Sequence, residues 1–209
     1  MLLHALIPAS RANGPGLRAV VFFQSCSIGC VGCWNPKSHY FQGQEVTVDA
    51  VAADVLRARE EHSLEGVTFS GGEPMQQAES SLRLLHRLRE HAPELSFGMF
   101  SGYTEHELDQ GQYWVWGDSS SEQHRKRLWQ EIRASLDFAI LGRFNQAQPG
   151  NMPLRTSRNQ VLRLFTDSYT PADFSEQLTE VNINEGGLAI VPSYRSRFTQ
   201  PRWSGQVGC

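Results

Sequence analysis

Short apolar runs alternate with apolar residues at helical spacing along most of the chain. Runs rich in β-branched and aromatic residues predict buried strands at residues 17–24, 65–70, 95–100 and 137–141. Apolar positions repeating every three or four residues predict a helix of about a dozen residues after the N-cap Thr47, a second over 76–91 and a third over 122–135. Strands that alternate with helices form a parallel sheet, and right-handed crossovers curl it towards a barrel. The pattern therefore predicts an α/β fold, a partial barrel of about five or six βα units that is open on one side.

Three segments depart from this alternation. Residues 110–121 combine a tyrosine and two tryptophans with a polar, turn-rich end, so we expect a loop or insertion whose aromatic residues either pack on the protein itself or dock a partner. Two strand-like halves around Glu-Gly-Gly predict a β-hairpin over 181–191 that adds antiparallel strands at one edge. The last residues, 193–209, are expected to form a surface tail.

Composition and charge narrow the class of protein. The 209 residues suffice for one domain, and we expect a single domain over 1–209 with its core from about 14 to 192. The 19 basic and 22 acidic residues give a net charge of −3, so the strongly basic surface of a protein that binds nucleic acid directly is not expected. No run reaches the roughly 18 apolar residues of a membrane span, and the first residues do not resemble a signal peptide. The sequence favours a cytoplasmic protein with no membrane partner, in which reduced cysteines can act as metal ligands.

The cysteines are the first candidate for chemistry. Three of them, Cys26, Cys30 and Cys33, lie close together in a glycine-containing loop after a predicted strand. A structural zinc site uses four ligands and would need a fourth from His39 or Cys209. A [4Fe-4S] cluster can instead be held by three thiolates, with one iron left open for chemistry. The spacing favours the cluster and leaves zinc as the alternative.

A second pattern, Gly71-Gly-Glu-Pro74, follows the next predicted strand. Glycines such as Gly71 and Gly72 let a backbone pass close to a ligand, and Pro74 stiffens the exit towards a helix. The carboxylate of Glu73 is an acceptor for an ammonium group. An ordinary turn between a strand and a helix is the alternative explanation.

Together, the C-x₃-C-x₂-C spacing and the Gly-Gly-Glu-Pro turn resemble the radical S-adenosylmethionine (radical SAM) superfamily. The resemblance implies a (β/α)6-type radical SAM barrel in which Cys26, Cys30 and Cys33 bind three irons of a [4Fe-4S] cluster and SAM chelates the fourth. It also implies that the turn over 71–74 binds the amino group of SAM.

Other features are similar to the activases of glycyl-radical enzymes in particular. Many radical SAM members have an aromatic residue before the third cysteine, whereas this chain has Gly32 there and Trp34 after the cysteine. That variant resembles the activating enzymes of anaerobic ribonucleotide reductase. Further stretches that resemble activase motifs are 100–105, 139–144 and 155–160. An Asp that activases carry near Leu141 is missing.

The resemblance extends to individual residues around SAM. Trp34 and Tyr103 are expected to pack around its adenosyl or methionyl part. With the Asp near Leu141 missing, Arg143 is a candidate for holding the SAM carboxylate, and a surface or salt-bridging arginine is the alternative. The remaining residues of the predicted cofactor site are Gly71, Gly72, Glu73, Pro74, Ser101, Arg155, Ser157 and Asn159. No catalytic side chain is expected, because the cofactor carries out the chemistry and the protein positions it.

The function implied by the resemblance is that of an activating enzyme. The cluster takes an electron from a flavodoxin-like or other one-electron donor, and SAM is cleaved to a 5′-deoxyadenosyl radical. The radical abstracts hydrogen from a glycine of a partner, such as the large chain of anaerobic ribonucleoside-triphosphate reductase. One alternative is a small radical SAM enzyme that acts on a peptide or small molecule. Another is a non-catalytic iron–sulfur module, which the SAM-binding turn disfavours.

Overall fold

The computed structural model describes residues 1–117, 120–152, 154–175, 180–184 and 187–191. The predicted tail, 193–209, which contains Cys209, lies outside these described residues. Within the described ranges, no helix has the length and apolar character needed to cross a membrane.

Strands and helices follow one another over the described residues. The strands are β1 (Leu2–Ser10), β2 (Arg18–Phe23), β3 (Gln44–Glu45), β4 (Gly66–Gly71), β5 (Ser96–Ser101), β6 (Phe138–Leu141), β7 (Pro149–Met152), β8 (Arg155–Ser157), β9 (Val161–Leu164), β10 (Glu180–Asn184) and β11 (Gly187–Val191). The α-helices are α1 (Val48–His62), α2 (Ala78–His91), α3 (Glu105–Asp109) and α4 (Glu122–Ser135). Short 3₁₀ helices cover Pro36–His39, Pro74–Gln77 and Pro171–Phe174.

Seven strands form one mixed sheet in the order β3-β1-β2-β4-β5-β6-β9. Its centre is parallel, because β2, β4, β5 and β6 pair in the same direction. Its flanks are antiparallel, through β1 and β3 on one side and β9 on the other. The carboxyl ends of the four parallel strands therefore lie side by side, where open α/β sheets place their binding loops.

The α/β prediction is confirmed, whereas the partial (β/α)6-type barrel is not confirmed. The described residues contain four parallel strands rather than five or six βα units, and their sheet does not close into a barrel. The apolar pattern also misses β1, which contains Pro8 and has mixed burial along its length. A strand that pairs antiparallel at the side of a sheet lacks the continuous apolar run of a central parallel strand.

The three predicted helices are confirmed as α1, α2 and α4. Thr47 caps α1, because its hydroxyl accepts a hydrogen bond from the backbone N–H of Ala50 at 3.1 Å. The buried stripe of α2 consists of Ser81 and the predicted leucines Leu82, Leu84, Leu85 and Leu88, together with Ala78. In α4 the predicted Leu128 and Ile132 are buried beside Trp129.

The predicted hairpin is formed by β10 and β11, which pair antiparallel with each other. They make a separate two-stranded sheet, and a second such sheet consists of β7 and β8. In the part of the chain that is described, the hairpin thus does not extend the seven-stranded sheet, contrary to the expectation of added strands at its edge.

A buried arginine joins the parallel strands at the end opposite to the binding loops. Arg18, the first residue of β2, is fully buried. Its guanidinium donates to the hydroxyl of Thr68 at 2.8 Å and to the hydroxyl and carbonyl of Ser96 at 2.8 and 3.0 Å. The guanidinium carbon also lies 5.1 Å from the centre of the Phe138 ring. These contacts link β2, β4, β5 and β6 near their amino ends.

Candidate functional site

Four loops meet at the carboxyl end of the parallel strands. They follow β2, β4, β5 and β6, and they comprise residues 24–41, 72–77, 102–104 and 142–148. These loops and the strand ends that carry them hold most of the predicted site residues. The exceptions are Arg155, Ser157 and Asn159, which lie on β8 and in the turn after it.

The loop after β2, residues 24–41, is named the cysteine loop. Its Cys26, Cys30 and Cys33 are partly buried, and all of them are free thiols. The backbone N–H of Cys33 donates to the carbonyl of Cys30 at 3.1 Å, which closes a turn between these two cysteines. The tip of this turn is open to solvent, since Val31 is 80% exposed.

The surroundings favour the protonated form of two of the thiols. Burial raises the pKa of Cys26 to about 12, and the nearby charge of Glu73 adds to this rise. Burial also raises the pKa of Cys33. Since thiolates are the metal-binding form, uptake of a metal centre by this loop must release protons.

The turn at residues 71–74 lies directly against the cysteine loop. The N–H of Gly72 donates to the carbonyl of Phe23 at 2.7 Å, and the N–H of Glu73 donates to the carbonyl of Ser25 at 2.9 Å. A Cβ at position 72 would lie 2.2 Å from the Ser25 carbonyl oxygen, so this approach requires glycine. The two backbones are therefore interlocked beside the cysteines.

The carboxylate of Glu73 is buried and held by three donors. It accepts hydrogen bonds from the N–H of Met75 and the hydroxyl of Ser101, both at 2.9 Å, and from the N–H of Gly102 at 2.7 Å. Burial raises the pKa of Glu73 to about 7, although these donors and the charge of Arg143 oppose the rise. A carboxylate has about four acceptor sites, so a further site is left for a cationic group.

Two buried glutamines after this turn are not predicted by the sequence analysis. Gln76 accepts from the N–H of Ser27 at 2.9 Å and donates to the hydroxyls of Ser27 and Tyr103 at 2.7 and 3.0 Å. The side chain of Gln77 accepts from the N–H of Leu2 at 2.8 Å and donates to the carbonyl of Leu2 at 3.0 Å. No local signal in the sequence marks these glutamines, because their partners Ser27 and Leu2 lie 49 and 75 residues away.

The base of the cysteine loop is closed by Gln24, another residue that the sequence analysis misses. Its side-chain nitrogen donates to the carbonyls of Lys37 at 3.0 Å and Tyr40 at 2.8 Å. The next residue, Ser25, has a φ of 79°, which is rare for a residue other than glycine. Within the part of the chain that is described, its buried hydroxyl has no hydrogen-bond partner.

Arg143 lies at the mouth of the site and is paired with a carboxylate. Its guanidinium donates to both oxygens of Glu107, at 2.8 and 2.7 Å, and its central carbon is 5.6 Å from the centre of the Tyr103 ring. The hydrogen bonds from Arg143 are the main reason why the pKa of Glu107 is lowered to about 2. The charge of Arg143 also lowers the pKa of Glu73, against the effect of burial.

The stretch over 155–160 supports the backbone turn that carries Arg143. The buried hydroxyl of Ser157 accepts from the N–H of Asn145 at 3.1 Å, and the side chain of Asn159 donates to the carbonyl of Arg143 at 2.8 Å. Arg155 donates to a backbone carbonyl within its own stretch at 3.4 Å. Their polar groups are thus directed at the protein backbone.

Exposed tryptophans lie in the cysteine loop and in a segment packed against it. Trp34 is 57% exposed, and its ring lies 6.5 Å from that of Phe144. Residues 112–117 are named the tryptophan segment; in it Tyr113 is buried, whereas Trp114 and Trp116 are 43% and 40% exposed. The segment thus combines packing on the protein with an exposed aromatic surface.

The residues present fit the cofactors that the resemblance implies. Three free thiols on one loop are the donor set of an iron–sulfur cluster, and the buried carboxylate of Glu73 suits an ammonium group. Among the described residues, no three His, Cys, Asp or Glu side chains converge on a site for a single metal ion.

Comparison with known proteins agrees with this geometry. Residues 12–163 match the family model for a 4Fe-4S single cluster domain. The chain is 31% identical over 175 residues to an anaerobic ribonucleoside-triphosphate reductase-activating protein of Vibrio cholerae, which covers 79% of this chain and 99% of the relative. A protein of the same name from Haemophilus influenzae is 27% identical over 76% of this chain and 94% of its own. A pyruvate formate-lyase-activating enzyme of Clostridium pasteurianum is 36% identical over 42% of this chain and 38% of its own.

The fold and the cysteine loop therefore define an iron–sulfur protein with a single [4Fe-4S] cluster. The chain belongs to the 4Fe-4S single cluster domain family, and within the radical SAM superfamily it is an activase of the glycyl-radical type. Its cofactors are the cluster and SAM. The zinc alternative and the non-catalytic alternative are thereby excluded.

Proposed function

We propose that this activase forms the glycyl radical on an anaerobic ribonucleoside-triphosphate reductase, with a flavodoxin-like or other one-electron donor as the source of the electron. The observation that carries the proposal is the interlock of the cysteine loop with the buried Glu73 at one end of the sheet. The choice of partner is supported by the two relatives that are named anaerobic ribonucleoside-triphosphate reductase-activating protein, which are matched over 99% and 94% of their own length.

In this proposal the cysteines hold the cluster and Glu73 holds the amino group of SAM. When bound, the cluster and SAM supply hydrogen abstraction through reductive cleavage of SAM. Glu73 uses its remaining acceptor site for the ammonium group, while Ser101 and Gly102 keep the carboxylate oriented. Gly71, Gly72 and Pro74 bring Glu73 to within reach of the cysteine loop.

The other end of SAM is assigned to the residues at the mouth. Arg143 binds the SAM carboxylate with the N–H groups that remain beside its two bonds to Glu107. Trp34 and Tyr103 pack against the adenosyl or methionyl part. The residues Arg155, Ser157 and Asn159 act indirectly, by supporting the turn that carries Arg143.

The sheet is interpreted as part of a (β/α)6-type radical SAM barrel in one domain. Support for this comes from the parallel order β2-β4-β5-β6 and from the helices α1, α2 and α4 that lie between these strands in sequence. The open side of such a partial barrel would admit a glycine-containing loop of a protein partner.

The test combines product analysis with electron paramagnetic resonance (EPR). The protein is reconstituted anaerobically with iron and sulfide, reduced, and mixed with SAM and the large chain of an anaerobic reductase. We expect 5′-deoxyadenosine and a lasting glycyl doublet on the reductase. The Cys30→Ala variant is expected to yield no 5′-deoxyadenosine, with an unchanged far-UV circular dichroism spectrum.

A second candidate is a radical SAM enzyme with a peptide or small-molecule substrate. It is favoured by the buried, apolar Leu141 at a position where activases carry an Asp. Formation of 5′-deoxyadenosine without a glycyl signal on the reductase would support this candidate and contradict the proposed partner. A wild-type protein that cleaves no SAM would contradict both.

A further inference from the structure

One buried side-chain amide connects three parts of the site. Gln76 is fully buried in the 3₁₀ helix over Pro74–Gln77. Its oxygen accepts from the N–H of Ser27 at 2.9 Å, and its nitrogen donates to the hydroxyls of Ser27 at 2.7 Å and Tyr103 at 3.0 Å. Both hydrogens of the amide nitrogen are used, so the partners determine how the amide is oriented.

The tryptophan segment is hydrogen-bonded to Gln76 and to Tyr103. The N–H of Trp114 donates to the hydroxyl of Tyr103 at 3.1 Å, and the N–H of Trp116 donates to the carbonyl of Gln76 at 2.8 Å. The ring of Trp114 also packs edge-on against Phe41 of the cysteine loop, with 5.3 Å between ring centres. Gln76 and Tyr103 therefore lie between the exposed tryptophans and the start of the cysteine loop.

The position of the first cysteine depends on these contacts. Ser27 is adjacent to Cys26. The side-chain amide of Gln76 is hydrogen-bonded to both the backbone N–H and the hydroxyl of Ser27. Removing a partner from a buried polar group costs about 1–3 kcal/mol. Loss of the amide would thus loosen the loop beside Cys26 and the tryptophan segment at the same time.

We propose that Gln76 is a positioning residue that fixes the cysteine loop relative to Tyr103 and couples this loop to the tryptophan segment. It acts through Ser27 and Tyr103 and not by contact with the cluster or SAM. The proposal rests on the proposed function in one respect, since there the cysteines hold the cluster and Tyr103 contacts SAM.

The main variant is Gln76→Met, which keeps the length of the side chain and removes the amide. Hydrogen–deuterium exchange is measured by mass spectrometry on the anaerobically reconstituted protein. We expect exchange in residues 26–33 and 112–117 to be about tenfold faster than in the wild type. In a titration of the reduced protein with SAM followed by EPR, the half-maximal spectral change is expected to need about tenfold more SAM.

The neighbouring amide provides a matched control. Gln77→Met makes the same chemical change one position away, but the Gln77 amide bonds to the backbone of Leu2 and to the carbonyl of Gln24. This control is expected to speed exchange in β1 and at the start of the cysteine loop, while leaving exchange in residues 112–117 unchanged.

A second variant keeps the inference testable if Gln76→Met does not fold. Tyr103→Phe removes only the hydroxyl that links Gln76 to Trp114, and faster exchange in 112–117 and 26–33 is expected again, by a smaller factor. Unchanged exchange in both segments, or equal effects in Gln77→Met, would overturn the inference. Failure of the wild type to cleave SAM would contradict the proposed function without altering the exchange result.

Discussion

Gly72 lies where the turn over 71–74 packs directly against the cysteine loop. In the Gly72→Ala variant the new methyl group would lie 2.2 Å from the Ser25 carbonyl oxygen, so the backbones must move apart. That movement weakens the bond from the Glu73 N–H to Ser25. We expect the free energy of unfolding in denaturant to fall by about 1–3 kcal/mol. The yield of 5′-deoxyadenosine is expected to fall as well.

Gly117→Ala is the matched control for this prediction. Gly117 has a φ of +71°, but a Cβ there meets nothing within 4 Å among the residues that the structure describes. The variant therefore introduces backbone strain of about 1–2 kcal/mol without a new contact on the cysteine loop. The interlock would be refuted if Gly72→Ala matched the wild type in both measurements, or if Gly117→Ala lost as much SAM cleavage.

Whether a site residue can be predicted from sequence depends on how far away its partners lie. Cys26, Cys30, Cys33 and the turn after β4 are recognisable because each motif is contiguous in the chain. Gln76 cannot be recognised in this way, because its partner Ser27 is 49 residues away and only the folded sheet brings the two together. A buried amide has no local pattern that distinguishes it from an exposed one.

At the scale of elements, the five-residue helix α3 connects two of the binding loops. Its N-cap Thr104 and Glu107 form a capping box, in which the carboxylate of Glu107 accepts from the N–H and hydroxyl of Thr104. The same carboxylate accepts two hydrogen bonds from Arg143, in the loop after β6. Glu107 thus joins the start of α3 to the loop after β6.

This junction predicts a pH dependence of stability. The pKa of Glu107 is lowered to about 2 in the folded protein, so its contribution is complete above the ordinary carboxyl pKa near 4.5 and is lost as pH falls towards 2. Because Arg143 is partly exposed, the contribution is about 1 kcal/mol. Urea unfolding should show this difference between wild type and Glu107→Gln at pH 6, and the difference should shrink at pH 3. The prediction would be contradicted if the free energies of unfolding of the wild type and Glu107→Gln differed by the same amount at pH 6 and at pH 3.

Within the seven-stranded sheet, the strands that the apolar pattern predicts are those buried on both faces. The strands β2, β4, β5 and β6 are continuous apolar runs because they lie in the middle of the sheet. The flanking β9 has an alternating pattern of exposed and half-buried residues, and β1 a mixed one, so neither has such a run. The helix stripes are predicted well, because spacing of three and four residues is a local property.

On the scale of the whole molecule, the two ends of the sheet have different roles. The carboxyl end carries the cysteines, whereas the amino end is fixed by Arg18. Arg18→Met would leave buried partners of the guanidinium without a donor. We expect the free energy of unfolding to fall by about 3 kcal/mol. The half-saturating SAM concentration of the folded variant should stay within about twofold of the wild type.

The separate roles of the two ends of the sheet are checked by denaturant unfolding and by the SAM titration. Both are carried out at a temperature where the variant is folded without denaturant. A Met at this position is also expected to leave the EPR spectrum of the reduced cluster unchanged. A weakened response to SAM in a fully folded Arg18→Met protein would show that the two ends of the sheet are not independent.

The exposed tip of the cysteine loop has a consequence for handling the protein in air. With Val31 80% exposed and the cysteines only partly buried, a cluster held by these cysteines would lie close to the surface, within reach of a redox partner. The same opening admits dioxygen, which oxidises iron–sulfur centres. The lifetime of the brown iron–sulfur colour of the reconstituted protein in aerated buffer should therefore report how well this tip is covered. It should lengthen when a partner binds over the cysteine loop.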